Sequence, residues 1–449
     1  MIQLKKGLNL PIAGAPRQVI EDGAEVKRVA ILGTDYPGLR PTMKVAEGDA
    51  VQIGAPIFED KKNPGVVVTS PAAGKVESII RGEKRTLLAV TILVEGDRSK
   101  LFETHGTQAL GRLTREEVTE ALRLSGLWPA LRTRPYSKVP TLGSVPHSLF
   151  VTAMDSNPLG VDAALVITER ATEFALGLDV LAKLTDGPVH VCQKPGKFLP
   201  SGHDKNVKVH EFDGPHPAGL PGTHIHFIDP VGPSKTVWYI GYQDVIAIGN
   251  LFHKGKIDPS RVVALGGPGV KNPRLIRTRL GADLTQLTAG ELNDGDQRVI
   301  SGSVLAGHAA KGAAAYLGRY HNQVSVIPEE RERRLFGYLE PGMDRHSVFP
   351  AFLSSWLGSG KVKFSTTANG SPRAMVPIGT YETVMPQDIL ATPLLRSLLV
   401  ADLESAMNLG CLELDEEDIA LCTYACPGKY EYGPVLRNML TLIEKESAA

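Results

Sequence analysis

Five histidines lie within a short stretch in the middle of the chain, and imidazole nitrogens are common zinc ligands. They are His203, His210, His216, His224 and His226. We predict a strand at residues 224–228, which would place the last two imidazoles on the same face. The glycines and prolines between residues 202 and 222 are instead typical of loops, where histidines face solvent or cap backbone groups. This second interpretation is favoured, so no metal site is predicted.

Two cysteines near the C-terminus have the spacing of iron–sulfur ligands. Cys422-Thr-Tyr-Ala-Cys426-Pro427 matches the third, fourth and closing positions of the run Cys-x-x-Cys-x-x-Cys-x-x-x-Cys-Pro, which holds four-iron clusters. Glu416 and Ile419 occupy the first two positions, and Cys411 lies too far upstream to replace a ligand without a distorted loop. We interpret Cys422 and Cys426 as vestigial cluster positions and predict that they are buried thiols.

Aromatic and apolar residues mixed with arginines could receive a quinone, whose ring stacks on aromatic side chains and whose carbonyl oxygens accept hydrogen bonds. A helix is predicted between Thr114, a typical N-cap, and Gly126, and such residues follow it. The candidate quinone contacts, which include two residues of an N-terminal turn, are Tyr36, Leu39, Trp128, Arg132 and Tyr136. The alternative, a loop packed on a helix with solvated arginines, is favoured by these residue types alone. No catalytic residue is predicted.

The composition is typical of a soluble globular protein with several domains. The chain has 449 residues, of which 42% are hydrophobic, and its 49 basic residues balance 49 acidic ones, so no net charge attracts nucleic acid. No apolar run is long enough to span a bilayer, and residues 1–6 are not followed by the apolar core of a secretory signal. The four scattered cysteines do not form a disulfide framework, which indicates a reducing compartment.

The N-terminal quarter predicts a small β-sandwich. Short apolar runs separated by Gly48, Gly54, Gly65, Gly74 and Gly82 have the spacing of brief strands joined by tight turns. Their order resembles the biotinyl/lipoyl carrier fold, in which a lysine at a hairpin tip carries the prosthetic group. Here that tip would hold Lys61 and Lys62. The Met-Lys-Met signature of a biotin site is absent, and we predict an unmodified sandwich.

Strands and helices alternate from Ser148 to Gly267, which predicts a layered α/β domain. A Rossmann fingerprint would place Gly-x-Gly-x-x-Gly after the first strand, but that junction reads Met154-Asp-Ser-Asn-Pro-Leu-Gly160. We therefore predict a Rossmann-like domain that does not bind nucleotide by the standard route. A single long helical stretch is predicted at residues 160–184, and another helix at residues 390–409 near the C-terminus.

The joint order of several segments makes the whole chain resemble one bacterial family. The segments are Ile2–Gly14, Arg40–Met43, Phe58–Gly65, Arg81–Arg85 and Leu220–Val231. Together they resemble the NqrA family of the sodium-translocating NADH:quinone reductases, which is related to the RnfC proteins and to the NADH-binding subunit of respiratory complex I. The unit that begins at Arg261 resembles the soluble-ligand-binding β-grasp module of that complex I subunit.

The resemblance completes the expected fold class, a multidomain α/β protein. Four domains are predicted: a carrier-like β-sandwich with a lead-in (1–100), a Rossmann-like domain (101–258), a β-grasp module (259–335) and a C-terminal helical domain that resembles a degenerate ferredoxin domain (336–449). RnfC proteins carry the cysteine motif intact, which agrees with the vestigial interpretation of Cys422 and Cys426.

The resemblance also implies a function. The chain would be a peripheral subunit on the cytoplasmic face of the bacterial inner membrane, taking part in the ubiquinone-reduction end of the complex. Its partners would be the other subunits of the reductase, lettered B to F, of which B lies in the membrane. FMN, FAD, riboflavin and the iron–sulfur centres would lie in those partners, which would also move sodium. Ubiquinone would be a ligand of this chain, which would carry no redox centre of its own.

Two alternatives of other classes remain open at this point. The chain could be a purely structural scaffold that docks on the membrane subunits and never contacts quinone. A weaker possibility is a soluble NADH-dependent electron-transfer protein of the RnfC type, which would require iron or flavin that the degraded cysteine motif cannot hold.

Overall fold

A computed structural model describes residues 1–104, 110–331, 340–357 and 360–447. The polar run at residues 97–111 predicts a linker, part of which lies outside the described residues. The predicted boundary between residues 335 and 336 lies outside them as well. The strands, in chain order, are β1 (Ile2–Gln3), β2 (Arg17–Asp22), β3 (Arg28–Leu32), β4 (Pro41–Met43), β5 (Ala50–Val51), β6 (Pro56–Asp60), β7 (Val67–Thr69), β8 (Gly74–Arg81), β9 (Leu87–Val94), β10 (Arg132–Arg134), β11 (Leu149–Thr152), β12 (Val189–Gln193), β13 (Val207–Asp213), β14 (Val237–Gly241), β15 (Ser260–Gly266), β16 (Arg274–Arg279), β17 (Gln297–Ser301), β18 (His308–Ala309) and β19 (Gln323–Pro328).

The helices connect and cover these strands, and most of them lie in the α/β and C-terminal parts of the chain. In chain order they are α1 (Arg115–Ser125), α2 (Ala163–Glu169), α3 (Ala171–Leu181), α4 (Pro221–Ile228), α5 (Tyr242–Lys254), α6 (Leu284–Leu287), α7 (Ser354–Leu357), α8 (Thr380–Val384), α9 (Ala391–Leu399), α10 (Leu403–Asn408), α11 (Ala420–Ala425) and α12 (Tyr432–Ser447).

The predicted N-terminal β-sandwich is present as two antiparallel sheets. One sheet has the order β3-β9-β8-β5 and the other the order β4-β6-β7. Lys61 and Lys62 lie exposed in the turn after β6, but the next residue, Asn63, is buried and its Nδ2 donates a hydrogen bond to the Pro140 carbonyl at 2.9 Å. The turn is therefore held against the following domain. The prediction that neither lysine is modified stays a prediction.

The α/β domain is built on a six-stranded sheet with the order β1-β13-β12-β11-β14-β10. Neighbouring strands from β1 to β14 run parallel, and β10 pairs antiparallel with β14 at the edge. Helix α1 begins and ends as predicted: Thr114 forms a capping box with Glu117, and Gly126 ends the helix with a φ of 74°. Helices α2 to α5 lie between strands β11 and β15 in the chain, so the predicted alternation of strands and helices is confirmed.

Helices α3 and α5 cover the sheet and approach each other at glycines. A Cβ atom added to Gly177 would lie 2.2 Å from the Val245 carbonyl oxygen, and one added to Gly249 would lie 1.8 Å from the Glu173 carbonyl oxygen. The two helices can therefore pack this closely only because both positions have no side chain.

The β-grasp part is a second six-stranded sheet with the order β18-β17-β19-β15-β16-β2. Its inner face shares a core with the N-terminal sandwich, because Val29, Phe58 and Val76 belong to the same buried cluster as Val263 and Val324. The lead-in is divided between two sheets: β1 pairs with β13 of the α/β sheet and β2 with β16 of this one.

Two predicted long helices are wrong as single elements. The stretch at residues 160–184 is broken between α2 and α3 at Arg170. The guanidinium of Arg170 donates a hydrogen bond to the Asp258 carboxylate at 2.9 Å. The stretch at residues 390–409 is broken between α9 and α10, where Ala401 has a φ of 57° and Asp402 caps α10 by accepting a hydrogen bond from the Ser405 backbone. Apolar periodicity continues through both breaks, so it could not reveal them.

Candidate functional site

A cavity of about 140 Å³ opens at the carboxyl edge of the α/β sheet. Thr152 and Gly241 are paired at the ends of the parallel strands β11 and β14, and both line the cavity. The chain leaves β11 towards β12 on one side of the sheet and later returns to β14 on the other side. In open α/β sheets, ligands bind where the strand order reverses in this way.

Arg132 lies between two aromatic rings at this cavity. Its guanidinium carbon lies 4.7 Å from the centre of the Tyr320 ring and 5.3 Å from that of Tyr239. One of its nitrogens forms an ion pair with the Asp415 carboxylate at 3.2 Å, while its Nε is buried without a hydrogen-bond partner among the described residues. The Tyr320 hydroxyl donates to the Pro129 carbonyl at 2.7 Å, which fixes that ring. The arrangement provides flat apolar faces next to a fixed cation.

Two further arginines line the cavity and share one carboxylate. Arg319 contacts both oxygens of Asp244, at 2.9 and 3.0 Å, and Arg261 also donates to Asp244. Burial lowers the pKa of Arg261, against the opposing charge of Asp244. The backbone N–H of Arg319 donates to Asp35 at 2.8 Å, and burial raises the pKa of this carboxyl to about 6.

A further polar group of the cavity wall has no hydrogen-bond partner among the described residues. The hydroxyl of Tyr242 is buried and makes no hydrogen bond to the residues that the structure describes, although Tyr242 lines the cavity. A buried hydroxyl without a hydrogen bond costs free energy, so such a group marks a place where a ligand acceptor would be stabilised.

Glu417 brings the C-terminal part of the chain to the cavity. Its carboxylate lies 3.6 Å from the guanidinium of Arg134, which is fully buried. Burial, together with the negative charges of Asp418 and Asp415, raises the pKa of Glu417 to about 8, while Arg134 and Arg132 oppose that rise. The cavity therefore contains a carboxyl group that can hold a proton near neutral pH.

The structure places only one of the five candidate quinone contacts, Arg132, on the cavity wall. Trp128 is 1% exposed, stacks edge-on against Trp238 and donates its indole N–H to the Pro140 carbonyl at 2.8 Å. Tyr36 is buried against Phe58 with a ring distance of 6.1 Å. These aromatic rings fill cores.

The remaining two candidates lie on other parts of the surface. Leu39 packs half-buried against the core shared by the sandwich and the β-grasp sheet. Tyr136 has a φ of 77°, packs against the C-terminal helices, and its carbonyl accepts a hydrogen bond from Arg437 at 2.7 Å. The five residues are therefore not brought together in one place.

The two cysteines that the sequence analysis interprets as vestigial cluster positions are buried thiols. Cys422 and Cys426 are each 1% exposed, at and just after α11. Burial raises the pKa of Cys422 to about 12. Burial would also raise the pKa of Cys426, but hydrogen bonds from the Tyr381 and Tyr432 hydroxyls outweigh it and lower that pKa. Within the described ranges, three or more potential metal ligands never lie close enough together to hold an ion.

The predicted strand at residues 224–228 is wrong, because this segment is helix α4, which begins at Pro221. Residues two apart in a helix point to different sides. His224 is fully buried and its Nε2 bonds to the Ala218 carbonyl at 2.9 Å, whereas His226 contacts the Glu413 carboxylate at 2.8 Å. The strand prediction overlooked a local signal, because proline in the first turn is typical of the start of a helix.

Sequence reasoning missed most of the cavity wall. The missed residues include Asp155, Tyr239, Tyr242, Asp244, Arg261, Arg319, Tyr320 and Glu417. One signal was available, because the alternation of strands and helices predicted from Ser148 to Gly267 implies a sheet in which ligands bind at the carboxyl ends of the strands, where the strand order reverses. Arg319, Tyr320 and Glu417 come from other parts of the chain and carried no such signal.

The fold and the cavity define a multidomain α/β protein with an N-terminal β-sandwich, in which residues of the β-grasp part and of the C-terminal part join the carboxyl edge of a parallel sheet to form the cavity wall. Three domain families match the chain. They are the NqrA N-terminal barrel-sandwich hybrid domain at residues 2–95, the NqrA second alpha/beta domain at residues 113–257 and the NQRA C-terminal domain at residues 262–312.

Curated relatives match over nearly the whole length. A protein of Neisseria gonorrhoeae (strain NCCP11945) is 59% identical over 446 residues, which cover 99% of this chain and 100% of the relative. Proteins of Saccharophagus degradans and Yersinia pseudotuberculosis are 57% and 56% identical with the same coverage. All three are named as the A subunit of Na(+)-translocating NADH-quinone reductase. The chain belongs to this NqrA family, and it is therefore one component of a multisubunit oxidoreductase.

Among solved structures, an air-oxidized NAD+-reducing NiFe hydrogenase aligns with 75% of this chain and 65% of its own, at 12% identity and a TM-score of 0.37. That likeness is too low to support any argument. Among the described residues, no helix has both the length and the apolar character needed to cross a membrane.

Proposed function

We propose that this chain is a peripheral subunit on the cytoplasmic side of the reductase, that it contacts ubiquinone in the 140 Å³ cavity, and that it carries no redox centre of its own. The observation that carries the proposal is the wall of this cavity. It combines two aromatic faces, a guanidinium with an unused N–H and a buried hydroxyl without a partner among the described residues.

The size of the cavity suits one ring. A cavity of roughly 150 Å³ lined by apolar side chains accepts benzene in another protein. The head group of a quinone is a single substituted ring, so only the head group would enter, and the isoprenoid tail would remain outside.

The polar groups suit a quinone because its two carbonyl oxygens accept hydrogen bonds and donate none. The buried Nε–H of Arg132 and the hydroxyl of Tyr242 are donors without a partner in the described structure. A quinone carbonyl would satisfy such a donor, while the faces of Tyr239 and Tyr320 would contact the ring.

Electrons would reach this quinone from partner subunits. The resemblance assigns FMN, FAD, riboflavin and the iron–sulfur centres to the other components, B to F, and sodium movement to the membrane subunits among them. In this chain, the buried thiols Cys422 and Cys426 support the interpretation of the C-terminal helices as a degenerate ferredoxin domain. The C-terminal helices would then serve only to pack against the rest of the chain.

The experiment that tests the proposal is photolabelling of the assembled complex with a reactive ubiquinone analogue, followed by peptide mapping with and without excess ubiquinone. We expect competed label in peptides that contain Tyr239 or Tyr320. Arg132→Gln and Tyr242→Phe should each weaken competition by roughly tenfold, the loss expected for a buried hydrogen bond of about 1.4 kcal/mol. Arg112→Gln, at an exposed arginine away from the cavity, is the matched control.

The alternative is a structural scaffold that does not contact quinone. The burial of Tyr36 and Trp128 in cores favours it, because these aromatic residues are used for packing. Label confined to the membrane subunits, or competition unchanged in both cavity variants, would leave the scaffold as the function of this chain.

A further inference from the structure

A second cavity, of about 630 Å³, lies beside the first at the carboxyl edge of the α/β sheet. Residues at the ends of three parallel strands line it: Asp155 follows β11, Lys194 follows β12 and Asp213 ends β13. Lys194 and Asp213 are exposed, so this cavity opens to solvent. Its wall is mostly polar, and a polar cavity of this size holds water. Water therefore reaches the sheet edge that also borders the cavity of about 140 Å³.

The two cavities share one part of their walls. Met154, Asp155 and Asn157 line both of them, and all three residues belong to the loop between β11 and α2. Asp155 is the ionisable member of this group. Its carboxyl group is therefore in a position to take a proton from water in the larger cavity and to release it into the smaller one.

A tight turn fixes the orientation of the Asp155 side chain. The backbone N–H and the side-chain Nδ2 of Asn157 both donate to its Oδ1, at 2.7 and 3.0 Å. No described residue donates a hydrogen bond to Oδ2 of the same carboxyl group. A carboxyl group that is anchored through one oxygen keeps the other for a proton, which it can donate. Oδ2 is therefore the atom that can exchange a proton between the two cavities.

Burial is the main influence on the ionisation of Asp155. It raises the pKa of this carboxyl group, while the hydrogen bonds from Asn157 and the positive charge of Lys194 oppose the rise. The hydroxyl of Tyr242 on α5 is a neighbouring group, since burial raises its pKa and the negative charge of Asp155 raises that pKa further. Asp155 therefore lies close to the hydroxyl that has no hydrogen-bond partner among the described residues.

We infer that Asp155 donates a proton to the quinone oxygen at Tyr242, and that solvent in the larger cavity returns a proton to Asp155. The inference rests on the proposed quinone contact. Reduction of a quinone to a quinol takes two electrons, which the complex obtains from NADH, and two protons. As the first proton moves, the O–H bond of the Asp155 carboxyl group breaks and an O–H bond forms on the quinone oxygen. The carboxylate then takes a new proton from solvent.

Two further residues that line the smaller cavity, Asp244 and Glu417, carry carboxyl groups, and neither of them lines the larger cavity. Asp244 accepts hydrogen bonds from two arginines, which hold it as a carboxylate. Glu417 interacts with the charge of Arg132, whose Nε–H is the other donor without a partner among the described residues. Glu417 is therefore placed to protonate the second quinone oxygen, which accounts for both protons.

The rate of quinol formation in the assembled complex tests the role of Asp155. Asp155→Asn keeps an oxygen that can accept both hydrogen bonds from Asn157, but it has no carboxyl proton. With NADH and saturating ubiquinone, we expect this rate to fall about 100-fold, as for the loss of a general acid, while ubiquinone competes for the photolabel as in the parent. Asp213→Asn, at a carboxylate that lines only the larger cavity, is the control and should keep the parent rate.

The outcomes of this experiment separate the inference from the proposed function. A parent-like rate for Asp155→Asn would overturn the inference and leave the quinone contact intact. Weaker competition by ubiquinone, in proportion to the loss of rate, would also overturn it, because Asp155 would then bind quinone and not donate a proton. If the parent chain gives no competed label at the smaller cavity, the proposed function fails and the inference fails with it.

Chemical rescue distinguishes a proton donor from a structural residue. Asp155→Ala leaves a space that borders the larger, solvent-open cavity, so a small acid such as formate can enter. We expect formate to raise the rate of quinol formation by this variant at least about tenfold and to leave the rate of Asp213→Ala unchanged. Formate cannot replace a residue whose role is only structural. The absence of rescue in an Asp155→Ala chain that keeps the parent unfolding midpoint would contradict the inference.

Discussion

At the scale of single residues, the protonation of the cavity depends on which charges face Glu417. The like charges of Asp415 and Asp418 and the burial of the site favour the neutral acid, whereas Arg132 and Arg134 favour the carboxylate. Burial and the two like charges outweigh the two arginines, so the pKa of Glu417 is raised to about 8. A carboxyl group that is neutral near pH 7 would donate, and not accept, a hydrogen bond at the cavity.

The raised pKa makes stability depend on pH in a definite direction. Between roughly 4.3, the ordinary pKa of glutamate, and about 8, the folded state binds a proton at Glu417 that the unfolded state has lost. The stabilising contribution of the Glu417 proton is therefore fully present below a pH of roughly 4.3. It is lost as the pH rises through the folded-state pKa of about 8. As the pH rises from roughly 4.3 to about 8, the free energy of unfolding should fall less for Glu417→Gln than for the parent chain.

Denaturant unfolding of both chains at several pH values measures the difference. Glu446→Gln, at an exposed glutamate near the C-terminus, is the control and should follow the parent. Equal slopes for the parent and Glu417→Gln would show that the carboxyl titrates alike in the folded and unfolded states.

At the scale of elements, a buried ion pair joins strand β10 to the segment before α11. Arg134 is 0% exposed and donates to the Asp418 carboxylate at 2.7 Å and to the Glu413 carbonyl at 2.8 Å. Arg134→Met would leave the buried Asp418 carboxylate without its cation. We expect a loss of about 3–5 kcal/mol in the free energy of unfolding, the usual cost of breaking a buried pair from one side.

The matched control for this change is Arg115→Met. Arg115 pairs with Asp186 at the surface, where the aspartate side chain is 84% exposed. Exposed pairs contribute about 0–1 kcal/mol, so the control should lose little. Similar losses in the two variants, measured by urea unfolding, would argue against a special role for the buried pair.

The crossing of α3 and α5 is the second feature at this scale. The Cβ atom of Gly249→Ala would lie 1.8 Å from the Glu173 carbonyl oxygen, so the helices must move apart. We expect a loss of at least about 1–3 kcal/mol, as for other overpacked cores, and a lower thermal midpoint by calorimetry. Gly232→Ala, which meets no atom within 4 Å, should not lower the midpoint comparably. A variant at Gly249 as stable as that control would refute the close crossing.

At the scale of the whole molecule, the first residues of the chain hold distant parts together. Strand β1 completes the edge of the α/β sheet beside β13, β2 completes the edge of the β-grasp sheet beside β16, and β3 begins the sandwich. Leu4, directly after β1, is 4% exposed. The segment from β1 to β3 therefore contributes strands to three different sheets and links them.

Removal of residues 1–6 should destabilise the α/β sheet, because it uncovers β13 and removes the buried Leu4, whose burial contributes about 1.5–3 kcal/mol. Hydrogen–deuterium exchange is expected to become faster at residues 207–213 and to stay unchanged at residues 87–94 in the sandwich. Removal of Met1 alone, which is 77% exposed, is the control. Unchanged exchange at residues 207–213 would show that β1 is dispensable.

Local features were predictable because they depend on neighbours in the sequence. Thr114 and Gly126 mark the ends of α1, since a capping hydroxyl and a left-handed glycine act within one helical turn. The break at Arg170 was not predicted, because its guanidinium pairs with a carboxylate distant in the sequence, Asp258. The helix at residues 221–228 was not predicted either, although the proline in its first turn is a local signal for the start of a helix.

The sequence by itself determined the family, the β-sandwich, the alternating α/β order and the burial of Cys422 and Cys426, because these follow from residue types and spacing over short distances. Only the tertiary structure decided what surrounds the cavity. Arg132, Tyr320 and Glu417 are far apart in the chain and meet where three domains converge on the carboxyl edge of one sheet. Such convergence depends on long-range packing, and no local pattern encodes which distant side chains will face each other.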